Sequence, residues 1–175
     1  LVAKNTLKAP YALKTTKMYK DQLSMQKKIM FKFDFFLKLK KYCKKKNIDF
    51  LCSAFDLDSL DYLNKIGLKT FKIPSGEINN IPYLHQVKSY KKKIILSTGM
   101  ANLDEINSAL KILRKSLPLN KISLLHCVSI YPTDEKNINL KSIQFLKDKF
   151  KCNVGLSDHT SSLIVPALAV ISGAK

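Results

Sequence analysis

A chain of 175 residues is long enough for one sizeable core, and an apolar fraction of 46% excludes a disordered polymer. The formal net charge of +18, from 31 basic against 13 acidic residues, raises nucleic-acid binding, yet Arg114 is the one arginine among those bases. Base and phosphate recognition leans on the bidentate arginine fork, so the lysines read as a solvated surface with some attraction for anionic substrates and no nucleic-acid partner.

Cysteines 43, 52, 127 and 152 are widely spaced and form no CxxC, so neither a zinc knuckle nor a disulfide framework is indicated. Reduced thiols fit a cytoplasmic protein. The longest apolar run, 163–174, contains Pro166 and falls short of the ~18–20 residues that a membrane span needs, so no membrane partner is expected. The chain does not begin with Met, and a piece of a longer protein is expected.

The first 32 residues carry scattered lysines and Pro10, and read as loop with short helical pieces. Phe35, Leu39 and Tyr42 then fall at helical spacing, followed by a strand-like run over 50–55. Leu57, Leu60, Leu63 and Ile66 make the next helical stripe, and a strand is expected over 70–73. Ile81, Leu84 and Val87 precede a strand over 93–97. Asn102 with Glu105 three positions on resembles a capping box, opening a helix whose stripe is Leu103, Ile106, Leu110 and Leu113. A strand over 122–128, a helix through Leu140, Ile143 and Leu146, a strand over 153–156 and a last helix complete the chain. Each strand is apolar at consecutive positions, which predicts burial on both faces.

Strand–helix alternation means parallel strands joined by crossover helices. Two architectures fit: an open doubly wound sheet and part of an eightfold barrel. Neither GxGxxG nor GxxxxGK[ST] is present, which removes the commonest reasons for the open sheet. The expectation is an α/β fold, an incomplete TIM (β/α)8 barrel with about five of its eight βα units present.

The polar residues cluster at the strand ends, in 53–56, 72–77, 97–100, 127–133 and 155–160. In a parallel βα fold these tips share one rim, where active sites are built. Serine and threonine before a helix are ordinary N-caps, but their succession, with glycines and helix N-termini, suits an oxyanion such as phosphate. Lys72 ends an apolar strand, so it either holds an anionic group or snorkels to the rim. His159 stands two residues after Ser157 and is the best metal candidate, although one histidine makes no site and a hydrogen-bonded loop histidine is the alternative. Glu77 could bind a sugar hydroxyl, shuttle a proton or favour a helix start. His126, within a strand, reads as a satisfied core residue, and His85 carries no signal.

The motif from Lys72-Ile73-Pro74-Ser75-Gly76-Glu77 to Asn80, followed by Ser97-Thr98-Gly99-Met100, resembles the central signature of the sialic acid synthases. Leu125 to Thr133 and Val154 to Thr160 continue it in order, and Ser53-Ala54-Phe55 looks like the preceding strand, where the family often has Thr-Pro-Phe. The resemblance implies condensation of phosphoenolpyruvate with an N-acylated mannosamine-type sugar, giving a nonulosonic acid and phosphate. Another phosphate-binding barrel aldolase, or a basic anion-binding protein, is the alternative. Carried over by motif, Lys72, Ser75, Ser97, Ser129 and Ser157 look like phosphoenolpyruvate ligands, with Ser129 standing where some members have Asn. Lys72 and Glu77 look catalytic, Glu77 and Tyr131 resemble sugar-pocket residues, and His159 looks like one of two histidines holding Mn²⁺ or Mg²⁺. The resemblance further implies a domain-swapped homodimer. Residues 1–175 would then be part of a barrel domain, without the first two strands, the last strand and a C-terminal antifreeze-like domain.

Overall fold

The computed structural model describes residues 6–8, 13 and 16–175, which fall into two compact units, 1–50 and 51–175. In the first unit, α1 (Gln22–Ile29) starts at a reciprocal capping box between Asp21 and Ser24. The helix α2 (Phe33–Lys45) carries the stripe expected from Phe35, Leu39 and Tyr42, and neither helix buries a residue. Phe31 stacks on Phe35 at 4.3 Å between ring centroids.

The second unit alternates helix and strand: α3 (Leu57–Lys65), β1 (Thr70–Ile73), α4 (Ile81–Ser89), β2 (Lys93–Ser97), α5 (Leu103–Arg114), β3 (Ile122–Cys127), α6 (Lys141–Phe150), β4 (Asn153–Ser157) and α7 (Val165–Ile171). Local chemistry explains the boundaries. The Asp56 carboxylate caps α3 by accepting from the Ser59 amide at 2.7 Å. The predicted capping box on α5 is present, with Asn102 Oδ1 accepting from Glu105 N and Glu105 Oε2 accepting from Asn102 N. Lys151 ends α6 in the left-handed conformation, at φ 55°.

All four strands are parallel and lie in the order β1-β2-β3-β4. A doubly wound sheet needs a reversal of strand order, and none occurs here. Right-handed crossovers between successive neighbours place the helices on one face of the sheet, as on the outside of a barrel.

The strand expected over 50–55 shrinks to a single bridge, Ser53 to Lys72, parallel to β1. This segment lies beside β1 and forms that one pairing. At the opposite edge the Lys175 amide donates to the Val154 carbonyl at 3.1 Å, so backbone pairing continues past β4 as well.

Burial on both faces, as the apolar runs suggested, is not what the strands show. Phe71, Ile73, Ile94, Leu96, Ile122, Leu124 and Val154 are buried, while their neighbours Lys72, Ile95, Ser123 and Leu125 are half-buried. Alternate side chains point to opposite faces, so one face meets the helices and the other is partly open. Register places Lys72, Ile95, Ser123 and Asn153 in one row of the open face, and Ser97, Leu125 and Gly155 in the next. No helix among the described residues is long and apolar enough to cross a membrane.

Candidate functional site

The site is assembled at the C-terminal ends of the strands, because parallel strands deliver their following loops to the same edge. Ser75 opens a 3-10 turn directly after β1, and its hydroxyl accepts from the Gly99 amide at 3.0 Å. Its oxygen also lies 3.4 Å from the sulfur of Cys127, at the end of β3. A Cβ at Gly99 would overlap the Ser129 hydroxyl and lie 2.9 Å from Cys127 Sγ and 3.0 Å from Ser75 Oγ. A side chain at position 99 would therefore force these three side-chain tips to move. Thr98 fixes β2 to β3 by donating to the Leu125 carbonyl from both its amide, at 3.0 Å, and its hydroxyl, at 2.9 Å.

A second cluster adjoins the first through the segment 127–133. His159 Nδ1 lies 2.6 Å from the Val128 carbonyl, and Nε2 lies 3.3 Å from the Ser157 hydroxyl. A carbonyl only accepts, so Nδ1 carries the proton and Nε2 presents its lone pair. The imidazole stacks on the Tyr131 ring at 4.1 Å. Backbone bonding locks the same two loops, with the Thr133 amide donating to the His159 carbonyl at 2.8 Å.

Two further groups face the open side of the sheet. Ser97 is only 2% exposed, and its hydroxyl has no hydrogen-bond partner among the described residues. An orphaned buried hydroxyl costs about 1–3 kcal/mol, so its presence calls for a partner. Lys72 is half-buried; its backbone bridges to Ser53, but its ammonium makes no hydrogen bond or ion pair with the described residues. An ion pair joins Lys136 to Asp134 on the surface.

The structure thus brings Ser75 and Ser129 together around Gly99, and joins Ser157, His159 and Tyr131 in the adjoining cluster. Lys72 and Ser97 share the open face with them. Glu77 is turned to its own turn, where its carboxylate accepts from Asn80 Nδ2 at 2.6 Å. His126 is satisfied, as expected of a core residue, by the Ile138 carbonyl. Sequence reasoning missed Cys127 as a neighbour of Ser75 and the Val128 carbonyl as the orienter of His159. Strand register pairs Cys127 with Ser157 and does not indicate Ser75, and no residue type announces a backbone acceptor.

An oxyanion would meet serine hydroxyls, an unpaired lysine and a buried donor in search of a partner. The fit to a divalent cation is narrower. His159 has the tautomer of a metal ligand, its far nitrogen held by a carbonyl. No group of three or more His, Cys, Asp or Glu able to hold an ion occurs among the described residues, so they supply one ligand rather than a closed set.

The NeuB family model matches residues 1–175. The chain belongs to the NeuB family. It is 51% identical over 168 residues to the N,N'-diacetyllegionaminic acid synthase of Campylobacter jejuni, covering 95% of this chain and 50% of that protein. With the N,N'-diacetyllegionaminic acid synthase of Legionella pneumophila it shares 39% identity over 178 residues, covering 99% of this chain and 50% of the other. The crystal structure of an N-acetylneuraminic acid (sialic acid) synthetase from Leptospira borgpetersenii, in complex with citrate, superposes with a TM-score of 0.82 at 38% identity. That match covers 90% of this chain and 55% of the synthetase. This NeuB-family chain therefore spans about half the length of the relatives it matches.

Proposed function

We propose that this chain is the phosphoenolpyruvate-handling part of a nonulosonic acid synthase. The full protein would condense phosphoenolpyruvate with an N-acylated mannosamine-type sugar and release phosphate. The observation that carries the proposal is that an orphaned buried hydroxyl, Ser97, and an unpartnered lysine, Lys72, share the open face of the sheet whose following loops form the Ser75–Gly99–Ser129 cluster. The names of the relatives in Campylobacter and Legionella support the same reading.

In this reading C3 of phosphoenolpyruvate attacks the aldehyde carbon of the open-chain sugar. Water adds at C2, and the C2–O bond breaks as phosphate leaves. Lys72, Ser75, Ser97, Ser129 and Ser157 hold the phosphate and carboxylate, so their contribution is positioning and charge stabilisation. Glu77 would act with Lys72 in the catalytic step and, with Tyr131, line the sugar pocket. Nε2 of His159 would supply one ligand to Mn²⁺ or Mg²⁺, with the others from outside residues 1–175. Such a cation polarises an aldehyde as a Lewis acid.

The sheet would be part of a barrel completed by strands outside residues 1–175. Its unreversed strand order and the pairing at both edges support this, and the family resemblance adds an antifreeze-like domain and a domain-swapped homodimer. Four free thiols suit the reducing cytoplasm.

The test uses phosphoenolpyruvate labelled with ¹⁸O at the bridging enol oxygen, incubated with the full-length protein and N-acylated mannosamine-type sugars. Label recovered in the released phosphate is expected. Label retained in the carbon product would overturn the proposal. Borohydride trapping of a carbonyl substrate on Lys72 would mark a Schiff-base aldolase instead.

A further inference from the structure

Ser75 occupies an unusual position among the serines of the rim, because two other groups already reach its oxygen. A serine hydroxyl has two lone pairs and one proton. The Gly99 amide, 3.0 Å away, can only donate, and so takes one lone pair. The Cys127 sulfur lies 3.4 Å away, a contact in which either the thiol or the hydroxyl can donate. Cys127 is 7% exposed, and its Sγ contact is with the Ser75 hydroxyl.

We propose that Cys127 and Gly99 are positioning residues that turn Ser75 into a dedicated hydrogen-bond donor. With the amide N–H and the thiol S–H both donating to Oγ, the hydroxyl proton is all that remains, and it must point away from both. The direction left is the mouth of the site, where the phosphoenolpyruvate phosphate would lie. The inference rests on the function proposed above and deepens it, by naming the residue that orients one phosphate contact. A Cβ at position 99 would crowd both groups, at 2.9 Å from the thiol and 3.0 Å from the serine oxygen.

The experiment is a double-mutant cycle in the full-length protein, read as kcat and KM for phosphoenolpyruvate. Cys127→Ala should raise KM about three- to tenfold, the loss of one neutral hydrogen bond, with kcat little changed. In a Ser75→Ala background the same change should have no further effect on KM. Cys127→Ser, which keeps a donor, should restore KM to within about twofold of the unmodified protein. A KM unmoved by Cys127→Ala, or raised equally in both backgrounds, would overturn the inference, since equal effects report packing rather than orientation. If the unmodified protein does not turn over phosphoenolpyruvate at all, the proposed function fails first and takes this inference with it.

Discussion

The imidazole of His159 is pinned by the carbonyl of Val128, 31 positions earlier in the chain, at 2.6 Å. That bond sets the tautomer of the neutral ring and leaves Nε2 on the side of the Ser157 hydroxyl, which separates two roles of one side chain. One role joins the loops after β3 and β4, and the other offers a lone pair.

His159→Asn separates them experimentally. An asparagine amide can reach the position of Nδ1 and donate to Val128, but it has nothing where Nε2 stood. We expect thermal stability in the absence of metal to change by less than about 1 kcal/mol, the range of one neutral hydrogen bond. Stabilisation by added Mn²⁺ should disappear, because a ligand stabilises only the state that binds it. Melting curves of the full-length protein, stripped by chelator and titrated with Mn²⁺, check this. Undiminished stabilisation in the variant would remove His159 from the cation.

Lys72→Met keeps most of the aliphatic stem and removes the charge. A hydrogen bond from a charged donor is worth about 1.5–3 kcal/mol, so the KM for phosphoenolpyruvate should rise roughly 10- to 150-fold. Folding should suffer little, because the ammonium has no partner among the described residues to lose. Steady-state kinetics against phosphoenolpyruvate give the answer, and wild-type values would exclude Lys72 from the anion site.

The sequence made most helices from Phe33 onward legible through an apolar stripe or a cap, as Asn102 and Glu105 show, whereas Gln22–Ile29 lies in a stretch of weak periodicity. It misjudged the strands in two ways. Ile94, Ile95 and Leu96 look alike in a string of letters, yet only the first and third meet the helices. Segment 50–55 has the composition of a strand, but among the described residues only Ser53 pairs, with Lys72. For the site, a shared rim followed from parallel topology alone, and the loops bearing Ser75, Gly99 and Ser129 do meet. The thiol beside Ser75 and the acceptor of His159 depend on register and loop path. Neither is encoded in the residue types at those positions.

Alkali probes the packing of α3 and α4 through two tyrosines. Tyr83 is fully buried and donates to the Ala54 carbonyl at 2.9 Å. Burial pushes its pKa well up from 10.0, with the charges of Glu77 and Asp56 adding to the effect. Tyr90 bonds to Asp61 and is pushed up to about 12, chiefly by burial. Both phenols hold their protons more tightly folded than unfolded. Their contribution is therefore fully present below about pH 10 and is lost as pH rises toward 12 and beyond. Denaturant midpoints should fall across that window, with tyrosinate absorbance rising as the protein unfolds. Tyr83→Phe should flatten the fall, at a cost of about 1 kcal/mol at neutral pH for the lost hydrogen bond. An equally steep fall in the variant would show that Tyr83 is not the linked group.

Gly155 offers a case in which the sign of the effect decides. In an unconstrained strand, replacing glycine by alanine stabilises by roughly 0.5–1 kcal/mol, because glycine loses more backbone freedom on folding. Here an added Cβ would lie 2.8 Å from the Lys175 carbonyl oxygen and 3.1 Å from Leu125 Cδ2. The first of these neighbours is backbone rather than a side-chain tip, and the amide of the same residue is tied to the Val154 carbonyl. Overpacking of this kind costs about 1–3 kcal/mol, which outweighs the entropic gain. Gly155→Ala should therefore lower the melting midpoint by several degrees, at about 2–4 °C per kcal/mol for a chain of this size. A raised midpoint would mean that Lys175 gives way freely, and that the pairing it makes with β4 does not hold that edge of the sheet.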